Sequence, residues 1–335
     1  MSLSLRVLAG DIGGTKVDLG LFDGPALVEH QRYQSRDFTD LETICAGFLA
    51  MAGGAPAAAA FGIAGPIVGG RVQTTNLPWL IEQSSMARRL GCPVALVNDL
   101  ESTAHGIPFL RPEEVVTLNA GVEVPRASRA ILAAGTGLGE GYMVFDAKQD
   151  RYEPRASEGG HSDFAARTPE EIELQAKLTG KFGHVSVERV VSGMGIVEIL
   201  EYLASTGRHR APRELRDALS GRGPQGQVDA AAVIGRAAME RSHPICIETM
   251  RMFVSAYGAE AGNLALKVMA LGGVYIGGGI APKILPLMTA GLFMESFIDK
   301  GRFRALMLRM PVRLILNEHA SLLGAAAVAR GLAGR

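Results

Sequence analysis

Asn98-Asp99 ends an apolar run, Val94–Val97, and leads into a helix-like segment, Leu100–Gly106. A carboxylate at the end of a buried strand stands where open α/β sheets bind ligands. Phosphoryl transfer needs a group that accepts the proton of the attacking hydroxyl, and Asp99 is the best placed candidate. Asn98 can hydrogen-bond a sugar hydroxyl. The same pair also has the composition of a helix cap. A second set of residues has the makings of a polyphosphate grip. In Gly10-Asp11-Ile12-Gly13-Gly14-Thr15-Lys16, Gly13 and Gly14 let backbone N–H groups approach a phosphate that a Cβ would block. Thr15 adds a hydroxyl, and Asp11 can hold Mg²⁺ directly or through water. No GxxxxGK[ST] run occurs, so this is not a Walker loop. Gly135-Thr136-Gly137 is a matching turn further along, and the two are more informative together than either is alone.

Glu158-Gly159-Gly160-His161 places an acceptor and a switchable donor/acceptor on what reads as a flexible turn, and such groups suit sugar hydroxyls. Glu188 is a further carboxylate near a helix start, where it fits a capping box equally well. Gly277, Gly278 and Gly279 follow an apolar strand and can let a flat adenine lie against the backbone, or simply form a tight strand-to-helix turn. His161 with Asp163 lacks further ligands at metal spacing, and His184 reads as structural.

These groups need strands to carry them. Arg6–Asp23 and Arg129–Asp146 are near repeats, each an apolar run, a Gly-rich turn and a second run ending Phe-Asp. Both predict a hairpin opening a domain. Between them, a strand is expected over 57–64, a hairpin turning at Gly69-Gly70 over 66–75, a helix over 81–90 and a strand over 94–97. Helices are expected over 169–177, 187–203, 212–219 and 228–268, with polar loops at 205–213 and 221–226. Strands over 273–276 and 312–316 and a final helix over 321–331 complete the pattern, the last expected to pack on the first domain.

A length of 335 residues suits two domains, and 47 % apolar residues suffice for large buried sheets. Lys+Arg and Asp+Glu both total 34, which argues against nucleic acid or an anionic membrane as the main partner. Three scattered cysteines, Cys45, Cys92 and Cys246, give no CxxC and no disulfide framework. The N-terminus does not resemble a signal peptide, and no charge-free apolar stretch of about 18 residues is present, so the expected location is cytoplasmic.

Taken in order, GDIGGT at 10–15, GIAGPI at 62–67, TTNLPW at 74–79, VND at 97–99, GTGLG at 135–139, EGGHSDF at 158–164, HVSVERVVSG at 184–193, GGVYIGGGIAP at 272–282, DKGRF at 299–303 and LLGAA at 322–326 resemble the bacterial glucokinase family that lacks structural zinc. The resemblance implies an α/β, two-domain actin-like ATPase (ribonuclease H-like) fold with an inter-domain cleft that closes on sugar. Its domains would be 1–110 plus 319–335, and 111–318. It implies ATP and Mg²⁺ as cofactors, glucose as the acceptor and a homodimer. Residue by residue, Asp99 resembles the base for the 6-hydroxyl, and Asn98, Asp99, Glu158, His161 and Glu188 the glucose ligands. Asp11 matches the Mg²⁺-associated carboxylate. Gly13, Gly14 and Thr15 match the first phosphate loop, Gly135, Thr136 and Gly137 the second, and Gly277–Gly279 the adenosine segment.

Lys16 departs from the Asn that many members carry and touches only the nucleotide contacts. The Cys-rich zinc motif of a related repressor-and-kinase family is absent after His161. Mannose, fructose or an amino sugar remain alternative acceptors. A non-kinase sugar sensor with a helix-turn-helix is disfavoured, because nine residues precede Gly10. A protein-binding ATPase is disfavoured by the sugar-ligand set.

Overall fold

The computed structural model describes residues 5–74, 77–207, 210–219 and 229–334. The expected loop at 221–226, Val228, and Thr75-Asn76 of the TTNLPW motif lie outside them. The chain forms two compact units. One comprises Met1–Glu114, Asp146–Ala156 and Asn317–Arg335, the other Val115–Phe145 and Ser157–Leu316.

In chain order the first unit contributes β1 (Arg6–Ile12), β2 (Lys16–Asp23), β3 (Ala26–Gln34), α1 (Leu41–Ala52), β4 (Ala58–Ile63), β5 (Arg71–Gln73), β6 (Leu80–Glu82), α2 (Gln83–Leu90), β7 (Val94–Asn98) and α3 (Asp99–Gly106). The second contributes β8 (Val115–Asn119), β9 (Arg129–Ala134) and β10 (Leu138–Asp146). β11 (Arg151–Ser157) lies almost wholly in the short segment that belongs to the first unit. The second unit resumes with α4 (Pro169–Phe182), α5 (Gly193–Ser205), α6 (Arg213–Leu219), α7 (Ala230–Met239), α8 (Pro244–Val268), β12 (Val274–Gly277), α9 (Leu285–Thr289), α10 (Leu292–Ile298), α11 (Arg304–Arg309) and β13 (Val312–Ile315). α12 (Ala320–Ala333) returns to the first unit.

The first unit is built on a sheet of order β3-β2-β1-β4-β7. β1 and β2 form the expected antiparallel hairpin, and β4 and β7 run parallel to β1. The inner strands are apolar on both faces, because α1 and α2 cover one face and α12 the other. The second unit repeats the motif. β9 and β10 pair antiparallel, β12 lies parallel to β9, and the order continues through β13 to β8. α8, buried along most of its length, forms the centre of that unit's core.

Three expectations need correction. Residues 80–82 are a strand, since Leu80–Glu82 pairs with Arg71–Gln73, and the helix begins at Gln83. The turn at Gly69-Gly70 is present, with both φ values positive (58° and 72°) and Val68 and Arg71 exchanging backbone bonds of 2.9 and 3.1 Å. Its outgoing strand, however, continues into the pairing with β6. Residues 187–203 are not one helix. Val187–Arg189 is a single 3₁₀ turn, and α5 starts only after Ser192, whose Oγ accepts from Gly195 N (3.0 Å). The β-branched run Val187, Val190, Val191 weakens a continuous helix there. Residues 228–268 divide into α7 and α8, because Arg241 has φ 54° and Pro244 opens the second helix.

α12 packs on β1, β4 and α3, as expected of the final helix. The fit against α3 is tight: a Cβ at Gly324 would run into the Ser102 carbonyl oxygen. Ser102 Oγ also donates to Ser321 O (2.7 Å). Because the obstacles to that Cβ, the Ser102 carbonyl and Gly106 N, are helix backbone, Gly324→Ala should separate the helices and cost about 3 kcal/mol or more. Thermal denaturation should show a lowered Tm, whereas an unchanged Tm would mean that the two helices shift without cost.

Candidate active site

In the first unit, β7 and α3 deliver the Asn98-Asp99 pair. Asn98 caps α3, its Oδ1 accepting from Leu100 N (3.0 Å) and Glu101 N (3.4 Å), while Nδ2 donates to Gly65 O (3.4 Å). The capping role is therefore real and falls chiefly on Asn98. Asp99 is the first residue of the helix, half-buried, with Oδ1 accepting from Leu100 N (2.9 Å). A carboxylate at this position also meets the positive end of the helix dipole.

Asp11 sits near the end of β1. Ser321 Oγ of α12 donates to its Oδ1 (3.0 Å). Loss of hydration pushes the Asp11 pKa up to about 7; the Ser321 bond opposes this, and the Asp99 and Asp18 carboxylates add to it. The Arg32 charge, the smallest of these influences, offsets the rise only in part, and a hydrated divalent cation would supply the stronger positive partner that a carboxyl held this high among other acids calls for. The residues thus fit Mg²⁺. The following loop is built from backbone. Gly13 N donates to Lys16 O (2.9 Å), Ser35 Oγ donates to Gly13 O (3.1 Å), and Ser35 N donates to Thr15 O (2.9 Å). Gly14 is half-buried and Thr15 is exposed.

In the second unit, the structure brings Glu158, His161 and Glu188 together. His161 Nδ1 lies 3.9 Å from Glu188 Oε1, and its Nε2 lies 3.9 Å from Glu158 Oε2. Glu188 Oε2 accepts from Leu138 N (2.9 Å), so Glu188 is no member of a capping box and is instead tied to the loop after β9. A Cβ at Gly137 would fall on that same carboxylate. The Glu158–His161 segment is not a flexible turn. It is a 3₁₀ turn pressed onto β10, where a Cβ at Gly160 would meet the Leu138 carbonyl and one at Gly159 the Glu140 carboxylate. Residues 138 and 140 share one face of their strand, so both glycines are there for close approach. Asp163 pairs with His184 Nε2 (2.9 Å) rather than with His161. Among the described residues, the His/carboxylate group with ligand-like spacing is Asp18, His30 and His319. There Arg32 Nε already holds both Asp18 oxygens (2.9 and 3.0 Å).

A cavity of about 700 Å³ opens in the second unit, lined in part by Gly135, Thr136, Met194, Asp229, Gly279 and Lys283. Its walls are largely apolar with a few polar groups, as a nucleotide site requires. Gly277 and Gly278 do not line it. Gly277 belongs to β12, and Gly278 has φ 83° with its Cβ position against the backbone of Ala134, so it is required by the turn itself. Only Gly279 of the three borders the cavity.

Several residues that shape these sites carried no local signal. Tyr257, buried in α8, receives a bond from Ala134 N (3.3 Å) and donates to Gly277 O (3.4 Å), joining the ends of β9 and β12. Gly193 N donates to Gly135 O (2.8 Å). Ser321, Asp229 and Lys283 reach their places by tertiary packing alone.

The family model for glucokinase matches residues 8–332. The chain belongs to the glucokinase family. A glucokinase of Nostoc sp. is 42 % identical over 341 residues, covering 97 % of this chain and 99 % of that protein. A Synechocystis glucokinase is 41 % identical, covering 98 % and 99 %. Among solved structures, the glucokinase of an Antarctic psychrotroph superposes with TM-score 0.82 at 29 % identity, covering 98 % of this chain and 99 % of that one. A ROK-family glucokinase of Streptomyces griseus, solved with glucose and AMPPNP, shares the fold at TM-score 0.65 and 21 % identity, covering 97 % and 99 %. The α/β architecture is therefore the two-domain, actin-like fold of the glucokinases and their ROK relatives. Among the described residues, no helix is long and apolar enough to cross a membrane.

Proposed function

We propose that this glucokinase-family chain transfers the γ-phosphate of ATP to the 6-hydroxyl of glucose. The observation that carries the reading is the bond from Leu138 N to Glu188: one carboxylate both faces His161 and braces the Gly135–Gly137 turn bordering the nucleotide-sized cavity. The sugar set and the phosphate set are thus one construction in that unit.

In this reading Asn98, Asp99, Glu158, His161 and Glu188 hold the glucose hydroxyls. Asn98 contributes through Nδ2, its Oδ1 being committed to the helix cap. Asp99 takes the proton of O6 as O6 attacks the γ-phosphorus in line. The new O–P bond forms, the bond to the bridging oxygen breaks, and ADP leaves with that electron pair. Gly13, Gly14 and Thr15, with Gly135 to Gly137, offer backbone and hydroxyl donors to the phosphates. Gly279 borders the adenosine. Asp11 would hold Mg²⁺, which supplies charge neutralisation to the polyphosphate when bound. Location in the cytoplasm, a homodimeric assembly, and domains at 1–110 plus 319–335 and at 111–318 follow the family resemblance.

The test is ADP release with Mg-ATP across hexoses and a no-sugar control. Release with glucose well above that with mannose, fructose or glucosamine supports the reading. Preference for another hexose moves the substrate while keeping the chemistry, and release indifferent to sugar overturns both.

Asp11 makes a separate prediction. Its folded pKa of about 7 lies above its unfolded value, so the folded state binds the extra proton and loses stability as pH rises through this window. Mg²⁺ bound at the ionised carboxylate offsets that loss only once the proton has left. The Tm gain from Mg²⁺ over NaCl of equal ionic strength should therefore be small at about pH 5.5 and larger at about pH 8. Asp11→Asn should remove the dependence, and a gain equal at both pH values would exclude Asp11 as the cation's carboxylate.

A further inference from the structure

Beneath the Glu158–His161 turn lies a second pair of acids that the proposed reaction does not use. Glu140 on β10 is 2 % exposed, and Glu260 on α8 is 5 % exposed. Counted as carboxylates, Glu140 Oε1 and Glu260 Oε1 each lack a hydrogen-bond partner. Two neighbouring carboxylates this far from water are costly unless they share a proton. Burial, with the Glu260 charge beside it, pushes the Glu140 pKa up to about 8, and the Lys267 charge opposes the rise.

The charges facing the pair are few. From α8, Lys267 Nζ lies 3.6 Å from Glu260 Oε1, Asn263 Nδ2 donates to Glu260 Oε2 (2.9 Å), and the Tyr257 hydroxyl feels the Glu140 charge. Lys300, following α10, donates to Asn263 Oδ1 (2.8 Å). On its other side, Glu140 presents Oε2 to the turn at the point where a Gly159 Cβ would stand. The turn's own titratable groups, Glu158 and His161, are exposed.

We propose that Glu140 is a positioning residue: its carboxyl, proton-bridged to Glu260, is the seat against which the Glu158–His161 turn is set for sugar binding. This role rests on the reading of that turn as part of the glucose site. The bridge is intact at neutral pH and is lost as pH rises through the alkaline range. The two carboxylates then repel, and the side free to give way is the turn.

The test compares the parent enzyme with E140Q and E140L. The Gln amide keeps an N–H donor toward Glu260 and does not titrate, whereas Leu removes that donor and leaves Glu260 to Lys267 and Asn263 alone. Glucose KM and the His161 imidazole NMR signals are followed from about pH 7 to about pH 9.5. We expect the parent KM to rise about fivefold over this range and the His161 signals to show an alkaline inflection, both absent in E140Q. At neutral pH, E140Q should match the parent while E140L binds glucose more weakly. Parallel profiles in parent and E140Q would overturn the proposal, as would a His161 signal without the alkaline inflection in the parent. The NMR signal needs no sugar. An inflection present in the parent and lost in E140Q, with no glucose phosphorylation by the parent, would keep the seat and reject the glucose reading.

Discussion

Asp99→Asn is expected to leave a folded protein with near-parental glucose KM and a kcat lower by about a thousandfold. The amide retains an oxygen that can accept from Leu100 N, the bond Asp99 Oδ1 makes at 2.9 Å. The start of α3 is capped mainly by Asn98, so the local structure should survive. What is lost is the capacity to take the O6 proton, a function realised only as the O–P bond forms. Loss confined to kcat is the signature of an interaction made in the transition state. Initial rates across glucose concentrations, with circular dichroism as the folding control, make the comparison. Turnover within tenfold of the parent would remove Asp99 from the base role.

Glu188→Ala should instead raise the glucose KM by about a hundredfold, the scale of a lost charged hydrogen bond of about 1.5–3 kcal/mol. It should also lower kcat, because the carboxylate does two jobs. Oε1 faces His161 at 3.9 Å, and Oε2 receives the Leu138 N–H at 2.9 Å. Without it, the N–H loses its acceptor and the Gly135–Gly137 turn loses its brace. Glu188→Gln keeps an acceptor for Leu138 and should be milder in kcat than in KM. A KM within about threefold of the parent in Glu188→Ala would place the sugar carboxylate elsewhere.

The strands that carry chemistry were legible because their signal is local. Apolar runs around Gly-rich turns at 6–23 and 129–146 became the β1/β2 and β9/β10 hairpins, and the run ending in Asn98-Asp99 became β7 and the start of α3. The strand at 80–82 was not legible, since three residues are too few to show a period and they run directly into the helix that follows. The break between α7 and α8 had a visible cause in Pro244, outweighed by the Ala-rich pattern around it. Gly159 and Gly160 could be taken for flexibility, because sequence does not reveal that β10 occupies the space their side chains would need. Tyr257, Ser321 and Glu140 were invisible as site residues for the same reason. Each is an ordinary helix or strand residue until packing sets it beside a glycine turn, the Asp11 carboxylate or the Glu158–His161 turn.

The most direct test of the central claim is identification of the product by ³¹P NMR after incubation with Mg-ATP and glucose. The account predicts glucose 6-phosphate formed in one-to-one ratio with ADP. ADP appearing without a sugar phosphate, or phosphate on a hydroxyl other than the 6-position, would contradict it.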